Sequence, residues 1–592
     1  MTDVRGFPAL FHGISAIAWL EAVTIPALLL LCAGFTLSSE IEATPDGPDP
    51  KAQEYHYCCL EFEGLVDDGG PFRIELGRKG RAVVTHGLVP TTVEGRGVTW
   101  TKQGQAGTLC IAGVKTAPSV VGKLTITSTV AGTRIGGTYA GTYAGKQVAG
   151  RLTGALLRRL LYVCLLDSSE STGGGSTVAV LDIDDDHRCI KEITSPAMKT
   201  CKRGRSSVGG LRGVGANPTT DRFYYVLWHG NPKALFGPDW TSTLGNIGQK
   251  SKSGKGGFYV LGCIDLRTDA VVWEVETPGL GEPGITWDGS RIFVGPQGMG
   301  TYNKESGCWW VLDGETGKVI KTLKSGGMYK IWTGDDGRYV YAPTWTRSKL
   351  FGPGLIRCNV ETYECEAVQG FDVKKPVGAS TAGLGRLFGI GFFMHFRNRY
   401  SYDAALTKSR GAKLFHPIPG APEGQVFELG VTHHAGIQRL DWRTGAITLI
   451  PFDPRLLPAE WRTDKQAALK GLGAAYPPHE TLDATRLYYS SGYDAGVHVY
   501  DNTVEPPRHI AHWGHGTGRG NKSGVWNSHL GDIVWTADYN HFDARTGKHL
   551  GPWRNLKGKP IRSTKFIEIH FEGDTLFGTA SATAAVGSTR AT

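Results

Sequence analysis

The sequence contains no Cys-x-x-Cys and no Cys-x-x-Cys-His, which removes zinc-ribbon spacing and c-type haem attachment. It contains no His-Glu-x-x-His and no Gly-x-Ser-x-Gly, so it offers neither a zincin helix nor a hydrolase nucleophile elbow. Around Gly248–Gly256 the glycines do not form a P-loop, because Gly256 follows Lys255 where Ser or Thr is required. Gly516-Thr-Gly518-Arg-Gly520 is a loop rather than a dinucleotide fingerprint, since no helical pattern follows it. Blocks of one charge are also missing. The net charge of +9 is spread along 592 residues with no basic stripe interleaved with aromatics, which argues against nucleic acid and leaves an anionic glycan or envelope surface as the partner such a charge suits.

What is present points to β structure. Glycine is abundant, at 83 residues, aromatics reach 10% with 16 Trp, and apolar residues make up 40%. That is enough for packed cores and excludes wholesale disorder. Short apolar runs broken by turns indicate an all-β chain.

The chain divides by composition. Ile14–Leu37 is largely apolar, and its charge-free part, Ala22–Leu37, suits a signal-peptide core better than a spanning helix of ~20 residues. Residues 1–40 are therefore expected to be a signal peptide or N-terminal membrane anchor, with 41–54 a linker. This places the protein outside the cytoplasm: secreted, periplasmic or anchored, with membrane contact only through this segment. Over 55–165, alternation such as Phe72-Arg-Ile-Glu-Leu76 and the near-repeat Gly137-Thr-Tyr-Ala-Gly141-Thr-Tyr-Ala-Gly145 predict a small glycine-rich antiparallel barrel or sandwich. Leu156–Leu166 is apolar, holds Arg158 and Arg159, and is too short to span a bilayer. Residues 166–176 form a Ser/Gly linker. Cys189/Cys201 and Cys358/Cys365 read as local pairs, the latter across the hairpin turn Asn359–Glu364, and suggest disulfides in an oxidising compartment.

From 177 to 585 the sequence repeats. A strand ends in Asp-x-x-Thr-Gly at Asp313, Asp441 and Asp543, with weaker copies at Asp182, Asp265, Asn359, Asp403 and Asp501. After a first interval of 83 the spacings are 48, 46, 44, 38, 60 and 42 residues, most of them near the ~40–50 of a four-stranded propeller blade, the 60 holding a helix-like insert around Pro454–Gly471. Trp287-Asp-Gly-Ser-Arg-Ile-Phe-Val294 and Gly334-Asp-Asp-Gly-Arg-Tyr-Val-Tyr341 each add a tight turn between two strands. This pattern resembles the YVTN and quinoprotein-type β-propeller superfamily. The resemblance implies a C-terminal propeller of seven or eight blades, eight favoured, and says little of activity. Ile567–Ser581 and Val178–Ile193 are expected to join as one blade and close the ring. The tryptophan-docking repeats of PQQ dehydrogenases are not found, so that activity ranks third.

In such a blade order the loop after the second strand and the loop between blades open on one face. Those loops carry Trp228-His229, Trp345, His395-Phe-Arg397, His433-His434, Tyr493, Tyr539-Asn-His541 and His515 with Arg519. Three readings follow. His395, His433 and His434 could hold a divalent metal, the one cofactor this set suits. His229, His395, Arg397, Tyr539 and His541 could act on an acidic saccharide, Arg neutralising the carboxylate while His or Tyr moves a proton, as in a polysaccharide lyase. Trp228, Trp345, Tyr493, His515 and Arg519 could simply bind a glycan, peptide or envelope component. The plain alternative is that these histidines cap strands. Ligand binding ranks first, with the lyase or metal-dependent enzyme second. Asp182-Ile-Asp-Asp-Asp186 looks like a calcium loop, but His187 stands where Gly is needed, so a hairpin turn is expected.

Overall fold

The computed structural model describes residues from 57 to 580, apart from 166–176, 239–257, 368–394, 399–425, 464–478 and other stretches within loops. The expected leader and linker, 1–54, lie outside the described residues. Among those described, no helix is long and apolar enough to cross a membrane.

The N-terminal strands are β1 (Tyr57–Phe62), β2 (Phe72–Leu76), β3 (Ala82–His86), β4 (Val89–Val93), β5 (Val98–Gln103), β6 (Ala106–Ile111), β7 (Gly122–Ala131), β8 (Arg134–Tyr143) and β9 (Lys146–Leu165). They form one antiparallel sheet ordered β4-β3-β2-β1-β9-β8-β7-β6-β5. The sheet curls, because Phe72 on β2 meets Tyr143 on β8 edge-on at 5.1 Å although two strands lie between them. Leu60, Phe62, Ile74, Leu124, Ile126 and Tyr139 fill the enclosed core. The near-repeat on β8 has a steric origin. Tyr139 and Tyr143 point into the core, and Gly141 alternates with them at φ +152°, where a Cβ would fall 2.0 Å from the Lys123 carbonyl oxygen of β7.

Next come β10 (Thr177–Asp182), β11 (Arg188–Ile193) and the short helix α1 (Pro196–Thr200). Six four-stranded antiparallel meanders follow. Sheet one is β12 (Gly210–Asn217), β13 (Arg222–His229), β14 (Phe258–Asp265) and β15 (Val271–Thr277). Sheet two is β16 (Gly284–Ile285), β17 (Arg291–Val294), β18 (Cys308–Asp313) and β19 (Val319–Lys324). Sheet three is β20 (Trp332–Thr333), β21 (Tyr339–Thr344), β22 (Gly354–Asn359) and β23 (Cys365–Ala367). Sheet four is β24 (His395–Asn398), β25 (Val426–Gly430), β26 (Gly436–Asp441) and β27 (Ala446–Pro451). Sheet five is β28 (His479–Glu480), β29 (Arg486–Ser490), β30 (Val497–Asp501) and β31 (Arg508–Trp513). Sheet six is β32 (Val525–Asn527), β33 (Ile533–Thr536), β34 (Asn540–Asp543) and β35 (His549–Pro552). The chain ends with β36 (Phe566–Glu572) and β37 (Thr575–Ala580).

The Asp-x-x-Thr-Gly signature is the hairpin between third and fourth strands. Asp313 Oδ1 accepts from the Thr316 backbone N–H at 2.8 Å and from the Thr316 hydroxyl at 2.7 Å, and Gly317 takes φ +70°. Asp543 and Thr546 repeat this, with Gly547 at φ +69°. These bonds to the ionised carboxylate, the Thr316 hydroxyl foremost, hold Asp313 below its ordinary pKa. Asp403 falls between β24 and β25 of one sheet, outside the described residues.

Among the described residues, neighbouring meanders pack face to face, and their strands read as continuous apolar runs rather than alternations. On β13, Phe223, Tyr225 and Leu227 pack with Tyr162 of β9 and Val180 of β10. The intervening Tyr224 and Val226 pack with Ile285, Ile292 and Val294 of sheet two. Phe293 and Trp309 continue to Val340 and Cys358 of sheet three. Ile450 of sheet four meets Leu487, Tyr489 and Tyr500 of sheet five. Tyr488 and Val499 meet Val534 and Phe542 of sheet six. Trp535 and Trp553 then pack with Leu161 and Val163 of β9 and with Phe566 of β36. First strands adjoin as well: β12 lies against β16 and β36, β16 against β20, and β28 against β32. Repeated four-stranded meanders packed face to face are the construction of a β-propeller.

The strands expected to join directly, β36 and β10, instead have β9 between them. From Arg158 onward β9 pairs with β36 on one side, and from Leu160 onward with β10 on the other. Its first half pairs with β1 and β8. One strand thus belongs to both regions. Cys189 and Cys201 do not meet. Cys201 sits in the core beside Met198, whereas Cys189 packs on the opposite core with Leu181 and Trp553.

Candidate functional site

Of the residues singled out from sequence, His229 and His541 have described side chains. Trp228, His395 and Arg397 are located by backbone only: Trp228 pairs with Tyr259 within sheet one, and His395 and Arg397 pair with Gly430 and Glu428 within sheet four. Trp345, His433, His434, Tyr493, His515, Arg519 and Tyr539 lie outside the described residues.

His229 ends β13 fully buried, because α1 packs over it and places the Thr200 hydroxyl 2.9 Å from its Nε2. Burial presses its pKa down to about 4, opposed by the Ala197 carbonyl. His541 on β34 is also buried, in another core, and burial presses it to about 4 as well. Its ring lies 4.2 Å from that of His187. His187 sits in the β10–β11 turn at φ +58° and accepts a hydrogen bond from the Trp535 indole N–H at 2.7 Å. Trp553 lies nearly parallel to it at 6.4 Å. Accepting from Trp535 and buried, His187 is held neutral, well below its ordinary pKa. The two located histidines thus sit in separate cores with separate partners.

Residues outside the expected mouth build a dense buried polar cluster. Arg159 of β9 is 1% exposed. Its Nε and Nη2 donate to the Asp184 carboxylate at 3.1 and 2.7 Å, and Nη1 and Nη2 donate to Asp532 at 3.1 and 3.0 Å. Glu568 of β36 lies 3.9 Å away and itself binds His570 at 2.9 Å. Ser528 donates to Asp532 at 2.5 Å. Arg158 binds Asp182 at 3.0 Å. The Asp182–Asp186 segment is thus a hairpin turn, as expected, with Asp182 and Asp184 held by arginines from β9 and Asp185 by Arg188 of β11. Two bidentate carboxylates on one guanidinium can lock strands together; they leave that guanidinium little capacity for a substrate. The sequence signal was two arginines inside an apolar run, followed by an acidic turn.

A second cluster lies in sheet five. The Asp453 backbone N–H donates to His509 Nδ1 at 2.9 Å. His509 must then carry its proton on Nε2, which donates to His498 Nδ1 at 3.3 Å. His498 is fully buried, with His512 beside it at a ring separation of 4.5 Å and Phe452 stacked at 4.2 Å. Burial lowers His509 to about 4 and His498 well below its ordinary value. The relay uses the lone pairs a metal would need. Among the described residues no group of His, Cys, Asp or Glu is arranged to hold a metal ion.

No family model and no curated protein matches the chain. Similar solved structures include a β-propeller domain of Myceliophteria thermophila Cps50 (Swd1), at 12% identity and TM-score 0.35, covering 61% of this chain and 88% of that one. TolB from Acinetobacter baumannii is similar at 12% identity and TM-score 0.32, covering 66% and 81%. A putative 6-phosphogluconolactonase from Bacteroides uniformis is similar at 10% identity and TM-score 0.37, covering 69% and 99%. At these scores the likeness decides nothing about activity, and the fold rests on the sheets themselves.

Proposed function

We propose that this chain is an exported, seven-bladed β-propeller that binds an anionic glycan or envelope component rather than turning one over. The observation that carries the reading is the state of the located histidines. His229 and His541 are buried, held neutral and placed in different cores, whereas acid–base catalysis needs such groups together and within reach of substrate. Seven blades are favoured over eight because six meanders are accompanied by one further sheet, β37-β36-β9-β10-β11, that packs on sheets one and six, while Asp403 falls inside sheet four. The net charge of +9 suits an anionic ligand, and the apolar segment Ile14–Leu37 supports export. The ligand-facing residues are Trp228, Trp345, Tyr493, His515 and Arg519.

Calorimetric titration of the full chain with acidic and neutral polysaccharides tests this. Saturable, salt-sensitive binding to the acidic polymers, weakened at least tenfold by Trp345→Ala or Arg519→Ala, is expected. Release of unsaturated uronate ends would replace binding with lyase chemistry. Stoichiometric metal lost on His395→Ala would restore the metal-dependent reading.

A further inference from the structure

We infer that Cys358 and Cys365 are a thiol–disulfide site: a cross-strand pair placed to close reversibly into a disulfide by exchange with a small disulfide such as oxidised glutathione. The two are partners across the β22–β23 hairpin. The neighbouring Asn359 N–H donates to the Glu364 carbonyl at 2.9 Å. This puts the cysteines at a non-hydrogen-bonded position, where facing Cα atoms lie about 4.5 Å apart, within the span a disulfide bridges.

The same position recurs in the other hairpins of the repeat, and its occupants differ in kind. Ile264 faces Val271, Leu312 faces Val319, Leu440 faces Ile447 and Phe542 faces His549. In the last of these the rings lie 5.3 Å apart, so this position brings side chains into contact. Sheet three alone among these five carries two thiols there.

The turn holds the pair in place. Asn359 Oδ1 accepts from the Glu361 and Thr362 N–H groups at 2.8 and 3.0 Å, and Tyr363 takes φ +63°. On the other face Arg357 donates to Glu366 at 2.6 Å and pins the register. Cys358 is fully buried against Phe293 and Trp309, while Cys365 is partly exposed. The Cys358 thiol donates to the Asn359 carbonyl at 3.7 Å and the Cys365 thiol to the Tyr363 carbonyl at 3.8 Å. The partly exposed Cys365 sulfur is thus the one a small disulfide reaches first.

The reaction balances as two exchanges. The Cys365 thiolate attacks glutathione disulfide, forming a mixed disulfide and releasing one glutathione thiolate. The Cys358 thiolate then attacks the Cys365 sulfur and releases the second. Two protein thiols are oxidised, one glutathione disulfide is reduced to two thiols, and two protons leave the cysteines.

The full chain is equilibrated across glutathione redox buffers, quenched with an alkylating reagent and mapped by peptide mass. A 358–365 linkage two hydrogens lighter than the dithiol is expected, with Cys189 and Cys201 alkylated throughout. Oxidation should raise Tm by a few degrees, and the C358V/C365V variant, which installs an apolar pair like that of the other hairpins, should fold and lose that response. Cys358→Ser should halt at a glutathione adduct on Cys365. If the wild-type chain also halts there, or both cysteines remain alkylatable in excess oxidised glutathione, the site is overturned.

Discussion

The two halves of β9 are one strand under two regimes. In the first half, Gln147, Ala149, Arg151 and Thr153 are exposed along one face, while Leu152 is buried on the other, with Val148 and Leu156 packed against the same core. That half has one wet face. From Arg159 to Leu165 every residue is buried. Leu160, Tyr162 and Cys164 face one core, and Leu161, Val163 and Leu165 face the other. A strand pairs its backbone identically in both settings; what changes is the number of covered faces, and the sequence shifts from alternation to an unbroken apolar run. The second half also carries a buried charge, which survives there only because Asp184 and Asp532 neutralise it.

Acid should separate the halves most strongly. Among the described residues no buried histidine lies on β1–β8, whereas His187, His229, His498, His509 and His541 are buried downstream with lowered pKa values. A neutral histidine with a folded pKa near 4 and an unfolded one near 6.5 gives full stability above about pH 6.5. That stability is lost as pH falls from there to about 4. Each tenfold difference in proton affinity between the folded and unfolded histidine is worth about 1.4 kcal/mol. Tm should be flat near neutrality and fall steeply through this window. Hydrogen exchange at pH 5 should open sheets one, five and six before β1–β8; uniform opening would break the contrast.

Arg159→Met should come next, costing about 3–5 kcal/mol by stranding buried carboxylates, read as a lower midpoint in urea. Arg151→Met, on the wet face, should stay within about 0.5 kcal/mol. An equal cost at both positions would mean that the buried cluster contributes nothing beyond packing. Leu161→Ala should cost about 2–4 kcal/mol as a cavity, several times more than Val148→Ala, measured the same way. A smaller loss than at Arg159 or Leu161 is expected of Asp313→Ala, which removes the Asx bonds of one hairpin turn at about 1 kcal/mol; a midpoint unmoved by it would show that Gly317 alone sets that turn.

The hairpins were legible because their chemistry is local: an Asp, a Thr three residues on and a Gly suffice to define the turn. The alternation of Phe72–Leu76 was legible for the same reason. The passage of β9 between regions was not. Its apolar run is short and interrupted by arginines, and the partners of Arg159 stand 25 and 373 residues away, distances over which spacing carries no information. His229 was expected at an open mouth from its place after a second strand; α1, formed from Pro196–Thr200 with Ser195 as its cap, closes over that place. The His498–His509–His512 group escaped notice because its members meet only once the β30–β31 hairpin sets His498 opposite His512.

The shared strand also fixes how the molecule would carry a load. If the curled sheet and the propeller are pulled apart, the tension runs along the axis of β9, the strand they share. Its hydrogen bonds to β1, β8, β10 and β36 lie across that axis. They are then strained side by side in shear rather than peeled one after another, and the Arg159 clamp sits midway along the line of force.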